Sequence, residues 1–184
     1  DLHSFPTRRS SDLWQTGIVA ALGIIVLPLT SYAASDTKDV TVTVRVGTGI
    51  QLTVDGDKMI NMNSGEFNEA TTTTANVKTN NATGYNLTVA DKDTNNALVK
   101  GGDNIPAQSG QPVAGTAGWA IKGGTVGTYT AVPISTDPAL QIYTQDTATG
   151  SAGVDTVITY GVATNFNQAT GDYVDTIVYT ATTK

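Results

Sequence analysis

Valine and threonine take turns along Asp39–Val46: Val40, Val42, Val44 and Val46 fall on one side, with Thr41, Thr43 and Arg45 on the other. A repeat of two belongs to an extended chain, whose successive side chains point to opposite faces, so the pattern predicts a half-buried strand. A helix is a poor host for it, because β-branched side chains lose rotamer freedom against the preceding turn. The same spacing recurs downstream. Gly47-Thr48-Gly49 interrupts it, Ile50, Leu52 and Val54 resume it, and Asp55-Gly56 ends it. A short strand is expected over Lys58–Met62, an extended Thr-rich stretch over Thr71–Thr79, and an alternating face on Tyr85, Leu87 and Val89. The turn formers of Asp91–Asn96 come next, with Leu98-Val99 expected as a hairpin return.

The Gly-, Pro- and Ala-rich stretch Gly101–Gly118 reads as a long connection. Short strands are expected around Trp119–Ile121, Tyr129–Val132 and Leu140–Tyr143, and two long ones over Asp155–Thr164 and Asp172–Thr182, with a turn over Asn165–Gly171. No window sustains a helical period with caps. Many short strands of unequal spacing predict an all-β fold, a single antiparallel β-sandwich of Ig-like or pilin-like form with crossing connections.

That domain is expected to occupy residues 35–184. Residues 1–13, DLHSFPTRRSSDL, resemble the conceptual translation of a short-read sequencing adapter and are excluded from fold reasoning. Residues 14–34 read as a secretory signal peptide truncated at its start: Ile18–Leu29 is an apolar run, and Ser31-Tyr32-Ala33-Ala34 supplies small residues for cleavage. The run falls short of the roughly 20 apolar residues a membrane-spanning helix needs. The expected destination is therefore extracellular, secreted or held at the cell surface, without a transmembrane anchor after cleavage.

Residues 35–184 suffice for one core that buries roughly 68–70% of the surface an unfolded chain exposes. The chain has no cysteine, which removes a disulfide framework and thiolate metal sites. Its net charge is −6 with no basic cluster, so it lacks the means to neutralise phosphates, and nucleic acid is not an expected partner. The one histidine is His3, inside the adapter-like segment. From residue 14 onward a Ser-His-Asp triad, a thiol nucleophile or a histidine-ligated zinc has no residues to use. No catalytic residues are expected and the chain is read as a non-enzyme.

Three weaker constellations remain. Glu66 and Glu69 are the only glutamates, three residues apart, and paired carboxylates are the equipment of glycoside hydrolysis; solvated loop charges are the preferred reading. Asp91, Asp93 and Asn95 match the opening of a calcium loop, since hard Ca²⁺ gathers closely spaced oxygens. Asn96 stands where that loop has glycine and Gly102 where it closes with glutamate, so a backbone-bonded turn is preferred and calcium is the alternative. Trp119, Tyr129 and Tyr143 are candidates for contact with a ligand or wall polymer, although packing in the core is preferred for Trp119.

Thr79–Val89, Ile105-Pro106, Trp119-Ala120-Ile121 and the closing stretch Gly171–Ala181 follow an order that resembles secreted bacterial WxL-like surface proteins. The last strand is similar to that of spore-coat-U-like pilin subunits. The first resemblance implies non-covalent wall attachment through paired Trp motifs, here Trp119-Ala120-Ile121 and Tyr179-Thr180-Ala181, with tyrosine in the second. The expected function is a secreted structural or adhesive module whose partner is an envelope polymer or another surface protein. The alternatives are a pilus-like subunit that forms a homopolymer by strand addition, and a cell-wall or carbohydrate-binding module.

Overall fold

The computed structural model describes residues 35–184, so the adapter-like and signal-peptide readings fall outside the described residues. The chain separates into two units, 1–43 and 44–184; the described residues 35–43 of the first form no strand, and every strand lies in the second. Ten strands follow in order: β1 (Ile50–Val54), β2 (Phe67–Thr79), β3 (Tyr85–Asp91), β4 (Leu98–Lys100) and β5 (Asp103–Ile105) come first. After them come β6 (Gly118–Gly123), β7 (Val126–Thr130), β8 (Leu140–Gln145), β9 (Val154–Ala163) and β10 (Ile177–Thr183). No helix occurs among the described residues, and every strand pair is antiparallel.

Five strands form one sheet in the order β1-β2-β9-β6-β7, three form another in the order β10-β3-β8, and β4-β5 is a small hairpin. The alternation sets which side chains go inward. Along β2, Thr73, Ala75, Val77 and Thr79 are buried, while Thr74, Asn76 and Lys78 are half-buried on the other face. Along β3 the inward row is Tyr85, Leu87, Val89 and Asp91, so the pleat that builds the core also carries a carboxylate into it. Val77, Ile158, Trp119 and Ile121 of the larger sheet and Tyr85, Leu87, Val89 and Ile142 of the smaller one belong to one apolar cluster. A register shift in the β2–β9 pairing between Asn68 and Thr71 marks a bulge near the start of β2.

Four expectations need correction. Asp39–Val46 is no strand: residues 35–49 carry no strand assignment, and Val40, Val42, Val44 and Val46 are 79–83% exposed. Alternation supplies an apolar face, but a strand also needs partners for its backbone N–H and C=O groups, and no described strand pairs with this segment. Lys58–Met62 is likewise irregular, although Ile60 and Met62 pack against the core. Leu98-Val99 does not return along β3; β4 pairs with β5, and Val99 bridges to Val174. The stretch from Asp172 becomes regular only at Ile177, and β9 and β10 enter different sheets, so the expected turn between them is a crossover.

Gly84 closes the turn into β3 with φ +78°, its N–H donating to the Asn81 carbonyl at 3.0 Å. A Cβ there would collide with the Gln145 carbonyl on β8, whereas Gly110, with φ +91°, faces open space. We expect Gly110→Ala to cost about 1 kcal/mol for the left-handed backbone alone, and Gly84→Ala about 3 kcal/mol because the β3–β8 pairing must also shift. Urea unfolding of the two variants measures the difference.

Candidate functional site

Asp91 ends the inward row of β3 and is 2% exposed. Its Oδ1 accepts from the Asp93 N–H at 2.7 Å, Asp93 Oδ1 accepts from the Asn95 N–H at 2.7 Å, and Asn95 Oδ1 accepts from the Ala97 N–H at 3.3 Å. These are successive side-chain-to-backbone turns of the kind Asp and Asn favour. Asn96 then carries the loop onto the core. Its carbonyl accepts the Trp119 indole N–H at 2.8 Å, and its amide donates to the Val132 carbonyl at 2.6 Å.

Asp175 meets this loop from the far end of the chain. In the β3–β10 register Asp91 lies opposite Ile177, which places Asp175, two residues earlier, diagonally on the same face. The Asp91 carboxyl lies close enough to bear on the titration of Asp175. Asp175 Oδ1 accepts from the Thr176 N–H at 2.6 Å, but Asp91 Oδ2 and Asp175 Oδ2 are both buried without a partner. Burial, then the adjacent Asp91 carboxyl, pushes Asp175 up to about 7. Sequence reasoning passed over Asp175. The signal was present, because Tyr173, Asp175, Ile177 and Tyr179 alternate with the more exposed Val174, Thr176 and Val178.

Two hollows meet at Asp175. One, of about 430 Å³, is lined by Val54, Leu98, Trp119, Tyr160, Asp175 and Tyr179 among others. The second, of about 640 Å³, is lined by Lys92, Asp93, Asn95, Val174 and Asp175 among others. At the first, the Tyr160 and Tyr179 hydroxyls lie 2.7 Å apart, joining β9 of one sheet to β10 of the other. Burial drives the Tyr179 hydroxyl far above the ordinary phenol range, so Tyr179 stays neutral.

The aromatic candidates lie elsewhere. Trp119 is 1% and Tyr129 6% exposed, and half-buried Tyr143 tilts against Tyr85 with centroids 6.2 Å apart. They do not converge on one exposed platform. Tyr129 covers Gly161 and donates its hydroxyl to Glu69 Oε2 at 2.5 Å. Lys122 Nζ reaches the same oxygen at 2.9 Å and stands 4.5 Å from the Tyr129 ring centre.

Tyr129 first, then Lys122, hold the Glu69 carboxyl below the usual range, and Asn63 does the same for Glu66. A glycosidase acid needs the opposite shift. Among the described residues no group of three or more acidic or histidine side chains is arranged to hold a metal ion, and no helix is long and apolar enough to cross a membrane. No protein-family model, curated protein or solved structure matches the chain.

The raised Asp175 fixes the sign of a pH effect. Its folded value lies above the roughly 3.9 of an unfolded aspartate, so its favourable contribution is fully present below about 4 and is lost as pH rises through about 7. In chelator-containing buffer the urea midpoint of the wild type should fall between pH 5 and pH 8, roughly across the Asp175 titration. In Asp175→Asn that part of the slope should vanish. An unchanged slope in the variant would assign the dependence to other groups.

Proposed function

We propose that this chain is a non-catalytic structural module of a bacterial cell surface, and that it associates with copies of itself by strand addition through Asp39–Val46. One observation carries the reading: a valine stripe with strand periodicity stands 79–83% exposed, outside every described sheet. Exposed apolar rows of this kind mark interaction sites or aggregation liabilities. An extended segment that joins a sheet edge gains main-chain hydrogen bonds, and its alternate side chains gain pockets.

In this reading the five- and three-stranded sheets face each other as a sandwich of the pilin-like kind, which accounts for their shared apolar cluster. The accepting edges are β1 and β10. Each ends its sheet, and Val54, Ile177 and Tyr179 from the two strands line the hollow of about 430 Å³. The resemblance of the last strand to spore-coat-U-like subunits points the same way. The low Glu66 and Glu69 carboxyls are consistent with a structural role. Export by the 14–34 segment and presentation at the envelope complete the proposal.

Sedimentation velocity over a hundredfold range of concentration tests it. The wild type should form dimers and longer species. Val42→Asp with Val44→Asp should leave a folded monomer, because each burial of a valine on association is worth roughly 1.5–3 kcal/mol. A wild type that stays monomeric throughout removes the assembly reading. Retention of that monomer on envelope preparations would favour an adhesive module instead.

A further inference from the structure

The buried carboxyl pair at Asp91 and Asp175 is not explained by the fold. Most buried polar atoms in folded proteins have a partner, and an exception calls for a specific cause such as an ion. Here two like-charged groups, brought near one another by the β3–β10 register, leave one oxygen each unpaired. Each group is held firmly by its other oxygen, on the Asp93 and Thr176 N–H groups. The free oxygens are therefore fixed in position rather than mobile on an exposed loop. Asp91 is 2% exposed, so bulk solvent does not reach its free oxygen. No lysine or arginine bonds either group, and the neighbouring Lys92 side chain is exposed.

We propose that Asp91 and Asp175 together hold one calcium ion, pinning the lead-in of β10 to the end of β3. Two carboxylates balance the charge of a divalent cation. The hollow of about 640 Å³ that reaches Asp175 is also lined by Asp93 and Asn95, which offers an entry path and further oxygens. Calcium accepts six to eight oxygen ligands in adaptable geometry, with water among them, whereas magnesium demands a near-ideal octahedron. A site with two protein carboxylates beside an open hollow suits the former. With only two charged ligands the affinity belongs to the weak range of extracellular modules, roughly 10⁻⁴–10⁻³ M. The site differs from the calcium loop weighed as the alternative for Asp91, Asp93 and Asn95, because its second anchor comes from a strand lead-in distant in sequence.

The test is thermal unfolding of the full chain in EDTA and in roughly 5 mM calcium chloride, a concentration above the expected dissociation constant. The wild type should gain about 3 °C or more in calcium. Asp91→Asn and Asp175→Asn should each abolish the gain, and Asp146→Asn, at an exposed site beyond the opposite end of β3, should keep it. Should an Asn variant fail to fold, terbium luminescence excited through Trp119 replaces it, since Trp119 and Asp175 line the same hollow. Sensitised emission that calcium displaces supports the site. A wild type indifferent to calcium, a gain retained in both Asn variants, or terbium emission that calcium does not displace overturns it.

Discussion

Trp119 is buried to 1% exposure, and its indole carries one polar hydrogen that needs an acceptor inside the protein. The acceptor is the Asn96 carbonyl, at the end of the turn that follows β3. That bond makes the loop of Asp91–Asn96 part of the core. The Trp119 backbone serves one further segment twice: its N–H donates to the Pro106 carbonyl at 2.9 Å and its carbonyl accepts from the Gln108 N–H at 2.9 Å. Opposite Val162 it also belongs to the β6–β9 ladder of the larger sheet. One residue thus connects the central sheet, the β3–β4 loop and the chain that leaves β5. Replacing the ring with a smaller one would open a cavity and orphan a carbonyl together, and each effect is costly.

Period-two patterning located β1, β3, β8 and β9 to within a few residues, because each has one face more covered than the other and finds a partner. It misplaced Asp39–Val46 for a specific reason. Alternation is a property of one segment, but pairing depends on an unfilled edge elsewhere in the fold, which the segment does not encode. The β4–β5 hairpin was hidden by the same non-locality: Leu98-Val99 has two candidate partners, and the closer turn at Gly101-Gly102 decided between them. Asp91 was legible as a turn former because its partners lie two residues away. Asp175 was not, since its relation to Asp91 exists only through the β3–β10 register.

Consistency among pattern, propensity and burial is what makes a sequence specify one fold, and departures from it concentrate where function or strain resides. Among the described residues two departures stand out, in opposite senses. Four valines that the pattern would bury are exposed, and two carboxyls that solvation would expose are turned inward. Neither is compensated within the described residues. A partner strand would remove the first inconsistency and a cation the second, each without disturbing the packing already in place.

The two departures also share an element. β10 is an edge strand, and its lead-in is fixed by Asp175, by the Lys92 N–H on the Thr176 carbonyl at 2.9 Å, and by the paired Val99–Val174 bonds at 3.0 Å. An edge receives an added strand most favourably when its own backbone is already ordered, because association then spends less on fixing the acceptor. The carboxyl pair works against that order as long as its charges are unmatched, since repulsion pushes the lead-in away from β3. Whatever neutralises Asp91 and Asp175 would therefore stiffen one of the edges on which the proposed assembly would draw. If the proposed strand addition uses β10, the polar fault in the core and the apolar stripe outside it would be coupled through that strand's backbone.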